Sequence, residues 1–216
     1  MRLEKLIHQQ VLEFRMIHVE TCPGITAWNG VAMTRIHIIG GPGSGKTTLA
    51  ARLSAHLHIP CYELDTIGWE GGFGAERPPE ARIADTARIA TQAEWVTEGS
   101  FLGWTDELFH RADVIIWLDL PWRIAAWRII SRHARASLTG TNKHRGLIKL
   151  YRFLGSCREY YKSKADEHTR EAAARYLTTY ADKLVHCHRP DEVKAFLTGI
   201  LAQEARADAR SYPSPY

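Results

Sequence analysis

The sequence predicts an α/β fold whose sheet is parallel and covered by helices on both faces. Three observations predict it. Gly40-Gly41-Pro42-Gly43-Ser44-Gly45-Lys46-Thr47 fits the phosphate-loop pattern G-x-x-x-x-G-K-[S/T] at every fixed position. From Arg35 onward, short apolar runs alternate with stretches of helical periodicity. Those runs are mostly apolar, as strands buried on both faces are.

The elements follow in order. Ile36-His37-Ile38-Ile39 centres a first strand over about 35–40, and Thr48 to Leu57 carries helical spacing, giving a helix over 46–58. A strand–loop–helix hinge of this kind aims backbone N–H groups and the positive end of a helix at one point, where an anion can bind. Pro60-Cys61-Tyr62-Glu63-Leu64 reads as a second strand ending at Asp65, followed by a Gly-rich loop from Gly68 to Gly74. A helix starts near Pro79. Trp95-Val96-Thr97-Glu98 is a third strand, and Asp106 to Phe109 belongs to a short helix. Val114 to Leu118 is a central strand, ended by Asp119-Leu120-Pro121. Pro121 opens a helix over about 121–137. After a Gly- and basic-rich loop, 138–146, come helical segments at 147–163 and 166–181. A strand, Leu184 to His188, and a helix from Pro190 to Ala205 close the series. Upstream, Leu3, Leu6, Ile7, Val11 and Phe14 recur at helical spacing, so residues 2–17 fit an amphipathic helix. The expected organisation is an extension, 1–33, a core domain, 34–205, with a lid over about 132–165, and a tail, 206–216.

Length and composition fit one ordinary globular domain with an appendage. A net charge of +4 is too small by itself to argue for a nucleic-acid partner. Cys22, Cys61, Cys157 and Cys187 lack CxxC spacing and read as reduced packing residues of a cytoplasmic protein. No apolar run approaches the roughly 20 residues that span a bilayer. Glu4, His8, Gln9, Gln10 and Glu13 interrupt any signal-like apolar region. The histidines are dispersed without a metal-type cluster. Trp104, Trp117, Trp122 and Trp127 are expected in the core or between helices.

Candidate site residues follow from the loop. Gly41, Pro42, Gly43, Ser44, Gly45, Lys46, Thr47 and Thr48 form the cradle for a nucleotide's phosphates. Lys46 reaches the β- and γ-phosphates, and the Thr47 hydroxyl is placed to ligate Mg²⁺. In parallel α/β sheets the site lies beyond the carboxyl ends of the strands. That rule selects Asp65, Glu98 and Asp119. Asp65 could take a substrate proton, position a substrate or hold a metal-bound water, or instead cap a turn. Glu98, followed by Gly99, is a substrate-side candidate or a solvated acid. Asp119 either holds Mg²⁺ through water or caps the helix behind Pro121. Arg128, Arg132 and Arg135 share one helix face that opens into a loop with Lys143, His144 and Arg145. Guanidinium groups suit the charge spread over a transferring phosphoryl group, which favours Arg132 and Arg145 as catalytic groups over a merely solvated basic face. Arg170 and Arg175 lie on the returning helix, able to complete the cage or to remain exposed charges. Trp69 could stack on a flat substrate ring.

Together these residues resemble the nucleoside and nucleotide kinase group of P-loop proteins. The likeness is to adenylate kinase-like and shikimate kinase-like enzymes, and especially to the bacterial proteins called DNA topology modulation protein (FlaR-like). It covers about residues 35–200. It rests on GGPGSGKTT at 40–48, on Leu64-Asp65 with Trp69, on Trp117-Leu118-Asp119-Leu120-Pro121 ahead of the arginine helix, and on Arg189-Pro190. The resemblance implies five parallel strands in order 2-3-1-4-5 with a mobile lid. It implies that Arg128 stacks on adenine and Arg132 touches phosphates. It also puts Arg175 near a post-lid phosphate-binding position and Arg189 beside the adenine. The region after Asp65 departs from the arginine pattern that holds AMP, with only Arg77 and Arg82 nearby, and the shikimate-binding arginines are also missing.

The function expected is an ATP- and Mg²⁺-dependent kinase that moves the γ-phosphoryl group to a nucleoside- or nucleotide-type acceptor. Two alternatives stand beside it. One is a regulatory ATP-binding module or slow ATPase with a protein or nucleic-acid partner. The other is a kinase for an antibiotic or another small metabolite.

Overall fold

The computed structural model describes residues 27–28, 31–72, 74–139, 147–162 and 169–211. A short antiparallel pair comes first, β1 (Ala27–Trp28) with β2 (Val31–Ala32). The core sheet has five strands: β3 (Arg35–Gly40), β4 (Cys61–Glu63), β5 (Trp95–Glu98), β6 (Val114–Leu118) and β7 (Leu184–Cys187). They lie in the order β4-β5-β3-β6-β7, and every pairing is parallel. Counted along the chain this is 2-3-1-4-5, the expected order of a P-loop NTPase α/β fold.

Strand residues alternate between two apolar layers because successive side chains leave a pleated strand on opposite faces. Ile36 and Ile38 join Leu49 and Leu53 of helix α1 (Lys46–Leu57) and Phe196 and Ile200 of α8 (Pro190–Ser211). Ile39, Ile115 and Trp117 join Trp95, Phe109, Leu177 and Tyr180 on the other face. His37 faces that second layer, fully buried. Its Nδ1 lies 2.8 Å from the Thr97 hydroxyl and its ring meets Phe109 edge-on. Burial lowers its pKa to about 3, so it is a neutral core histidine at physiological pH.

The remaining helices are α2 (Leu64–Gly68), α3 (Pro79–Ala90), α4 (Asp106–Arg111), α5 (Trp122–Leu138), α6 (Leu147–Lys162) and α7 (Arg170–Leu177). A 3-10 segment, Thr178–Lys183, leads into β7. The Thr169 hydroxyl caps α7 by accepting from the Ala172 N–H at 3.2 Å.

Three expectations change. The second strand stops at Glu63, so Asp65 sits in the first turn of α2 rather than at a strand end. Two hydrogen bonds explain the turn: the Thr66 hydroxyl donates to the Glu63 carbonyl at 2.7 Å, and the Trp69 N–H donates to the Asp65 carbonyl at 3.1 Å. The stretch from Gly68 to Gly74 is partly ordered as a 3-10 turn, Glu70–Gly72. Trp127 is 69% exposed instead of packed. The proposed helix at 2–17, the basic loop 140–146 and the end of the tail, 212–216, lie outside the described residues. Among the described residues no helix is long and apolar enough to cross a membrane. Cys61 and Cys157 are free thiols.

Candidate active site

The phosphate loop runs from the end of β3 into α1. Gly45 stands at the helix N-cap with φ 98°, so no side chain caps the first turn and its N–H groups face the loop. Gly43 has φ 77°, and a Cβ there would lie 2.7 Å from the Ala125 carbonyl of α5. The position is therefore restricted to glycine by backbone and by space. The Ser44 N–H donates to the Gly41 carbonyl at 3.2 Å, and Lys46 Nζ donates to the same carbonyl at 3.3 Å. The Ser44 hydroxyl is buried without a hydrogen-bond partner. Such an orphaned hydroxyl in a cradle of positive-φ glycines fits an oxyanion ligand. Thr47 and Thr48 are exposed at the start of α1.

Two helices clasp this loop. From α5, Arg128 donates to the Ser44 carbonyl at 2.5 Å. From α6, the Tyr161 hydroxyl donates to the Pro42 carbonyl at 3.3 Å, and its ring packs 5.3 Å from Trp122. Tyr160 covers Gly41, where a Cβ would come within 2.5 Å of its ring.

Glu98 ends β5 and is buried. The Thr47 hydroxyl donates to its Oε1 at 2.8 Å. Burial pushes the Glu98 pKa up, only partly offset by the Lys46 charge and the Thr47 bond. Burial lowers the Lys46 pKa. The charges of Glu98 and Asp65 oppose that shift and the charge of Arg132 adds to it. Lys46, Glu98, Asp65 and Arg132 thus share one electrostatic neighbourhood. Cys157, on α6, belongs to it as well. Its thiol is pushed up to about 11 by burial against the opposing pull of Arg132 and Lys46.

Asp119 has different company. Arg170 binds it bidentately, Nε to Oδ1 at 2.5 Å and Nη2 to Oδ2 at 2.8 Å. His186 Nε2 lies 3.1 Å and His188 Nδ1 3.5 Å from Oδ2. Burial alone would raise the Asp119 pKa. The bonds from His186, His188 and Arg170, with the Arg170 charge, hold the carboxyl well below the usual range. Burial also lowers the His186 pKa, and Arg170 brings a guanidinium charge against Asp119. The Asp119 side chain does not cap α5, whose N-cap is Pro121 without a side-chain bond. His186, His188 and Asp119 bring their ligand atoms within 4.8 Å of one another, a grouping the dispersed histidines had not suggested. The only hint in sequence was the His-x-His spacing at a strand end.

The other candidates divide. Arg132 is exposed on α5, within electrostatic reach of Lys46. Arg175 is exposed and pairs with Glu171 one turn back at 3.2 Å. Arg189 is exposed and pairs with Asp191 at 2.7 Å and Glu192 at 3.2 Å. Trp69 is partly exposed, its ring 5.1 Å from Phe101. Arg145 lies outside the described residues. Residues that sequence reasoning overlooked are Tyr160, Tyr161 and Ser100. The Ser100 hydroxyl donates to the Gly40 carbonyl and ties the turn after β5 to the phosphate loop.

No family model matches the chain. The uncharacterized protein YqaC of Bacillus subtilis (strain 168) is 30% identical over 114 residues, 50% of this chain; the chain spans 64% of that relative's length. Solved structures similar to this chain include a gluconokinase from Sinorhizobium meliloti 1021, at 17% identity and a TM-score of 0.45, covering 83% of this chain and 98% of that one. A shikimate kinase from Bacteroides thetaiotaomicron is similar at 17% identity and a TM-score of 0.43, covering 82% and 99%.

Proposed function

We propose that this chain is an ATP- and Mg²⁺-dependent phosphotransferase, an adenylate kinase-like enzyme acting on a small acceptor. The observation that carries this reading is the group Lys46, Thr47 and Glu98 at the mouth of a glycine cradle. Backbone N–H groups and Lys46 would hold the donor's phosphates, and Thr47 with Glu98 would hold Mg²⁺. Magnesium, when bound, neutralises charge that develops between the β- and γ-phosphoryl groups. This reading assigns the metal-side acid to Glu98, because its carboxylate meets Thr47 while both Asp119 oxygens meet Arg170. Arg128 fixes the loop backbone. Arg132, and Arg145 from the basic loop, would face the transferring group, and Asp65 would face the acceptor. Arg175 and Arg189 would need to leave their carboxylates before touching a nucleotide.

Lys46→Ala should lower phosphoryl transfer by about a hundredfold or more while the melting transition stays in place. Transfer at the normal rate in that variant sinks the assignment. A regulatory module is the second reading, favoured by the exposed apolar side chains Trp127, Leu147, Ile148 and Tyr151 on α5 and α6. Acceptor-stimulated ADP release across nucleosides, nucleotides and other small alcohols separates the two. A kinase is stimulated; a module binds nucleotide and ignores every acceptor. The same panel, extended to antibiotics and metabolites, decides the acceptor.

A further inference from the structure

On the acceptor flank, three partly exposed rings form one continuous wall. Trp69 and Phe101 lie 5.1 Å apart and Phe101 and Trp104 lie 5.0 Å apart. The wall stands beside the proposed chemistry. Gly99 follows Glu98 directly, and a Cβ on it would come within 3.0 Å of the Phe101 ring and 2.8 Å of Leu64, the neighbour of Asp65. Gly68 likewise faces Trp104, at 3.6 Å.

The charges here run against an anionic acceptor. Residues 61–107 hold ten carboxylates and three arginines, Arg77, Arg82 and Arg88. Arg77 is committed to Asp85 at 2.8 Å and to the Ile67 carbonyl at 2.9 Å. Arg82 is committed to Glu76 at 2.6 Å and lies over the Trp104 ring at 5.5 Å. Arg88 pairs with Asp85 at 3.4 Å. Each arginine of this flank already faces a carboxylate and would have to leave it to grip an anionic acceptor. Asp65, the acid this reading turns toward the acceptor, adds negative charge of its own. Residues 120–158, by contrast, hold nine lysines and arginines and no carboxylate. The polyanionic donor therefore belongs to one half of the molecule and a ring without negative charge to the other.

We infer that the acceptor is a nucleoside-type alcohol, a sugar with a free hydroxyl carrying an uncharged flat base, the base held against Trp69, Phe101 and Trp104. The inference rests on the kinase reading above. In the step, the acceptor hydroxyl oxygen forms a bond to the γ-phosphorus as the bond to the β–γ bridging oxygen breaks. ADP leaves, and the hydroxyl proton passes to the Asp65 carboxylate and on to solvent. The products are a phosphomonoester, ADP and a proton.

The test is a transfer assay of the full chain with Mg-ATP. Its arms are four nucleosides, the four matching monophosphates, and shikimate and gluconate as carboxylate alcohols, with Mg-ATP binding measured alongside by calorimetry. The expected result is transfer to a nucleoside with kcat/KM at least a hundredfold above that for its monophosphate or for either acid. Trp69→Leu should then raise the nucleoside KM about tenfold, with a smaller change in kcat, as loss of one stacking face predicts. A monophosphate or acid used as well as the nucleoside overturns the inference and leaves the kinase reading standing. So does an unchanged KM in both Trp69→Leu and Phe101→Leu. Tight Mg-ATP binding with no transfer to any nucleoside overturns the inference alone, whereas a folded chain that binds no Mg-ATP overturns the kinase reading beneath it.

Discussion

Glu98 and Asp119 are both buried carboxylates at strand ends, and their surroundings push them in opposite directions. Glu98 has its pKa raised by burial, with Lys46 and Thr47 offsetting only part of the shift. A carboxyl raised in the folded state costs stability at every pH above that raised value, where the fold holds a charge that unfolding would hydrate. Glu98→Gln should therefore raise the melting temperature at pH 7 while lowering kcat at least tenfold and weakening the response to Mg²⁺. A lower melting temperature would remove Glu98 from the group of strained functional acids. Asp119 is depressed, so its contribution is complete above the unfolded value of about 3.9 and disappears as pH falls through the folded one. Asp119→Asn should cost about 2 kcal/mol at pH 7, less than a fully buried pair because Arg170 is half exposed. Denaturant titrations should show the gap to the parent chain persisting at pH 5 and shrinking as pH falls below about 4. A gap that is the same at every pH would mean that packing, not charge, holds Asp119.

At the scale of elements, the loop and the helices around it form one unit. Gly43→Ala forces a left-handed φ on alanine and drives its Cβ toward the Ala125 carbonyl. The strain, about 1–3 kcal/mol, should appear as a lower melting temperature and as loss of Mg-ATP affinity by at least tenfold in calorimetry. The loop, the five strands and most helix boundaries were legible because each is a local pattern: spaced glycines, apolar runs, a proline at a first turn. Asp65 was misplaced by two residues because a short capped turn has almost no periodicity to read. The partners of Thr47 and Asp119 were hidden for a different reason. Sequence shows that three acids end near the same sheet edge. Which acid meets Thr47 depends on strand adjacency, and β5 borders β3 directly on the side that brings Glu98 opposite Ile38. Tyr160 and Tyr161 gave no signal either, since two tyrosines on an amphipathic helix look like ordinary packing residues.

Over the whole molecule, the sign of charge changes from one flank of the sheet edge to the other. A net +4 conceals this, because a lysine- and arginine-only stretch at 120–158 balances an acidic one at 61–107. Exposed charges act through solvent over roughly 10 Å at 0.1 M salt, so the basic flank should draw a polyanion in dilute buffer and lose that pull in concentrated buffer. The Mg-ATP Kd should rise several-fold between about 0.02 and 0.2 M salt. A Kd independent of salt would confine donor recognition to the cradle itself. The last turn of α6 adds a constraint of another kind. Tyr160 and Tyr161 roof the phosphate loop from the far end of a sixteen-residue helix whose opening turns are largely bare. Each residue added to a helix turns the side chains before it by about 100° relative to those after it, and here the later ones are seated on the loop. An insertion beside Cys157 would swing both rings off the loop, whereas one near Leu147 would turn only solvent-facing side chains. Length variation among related chains should accordingly gather at the start of this helix and stop short of its tyrosines.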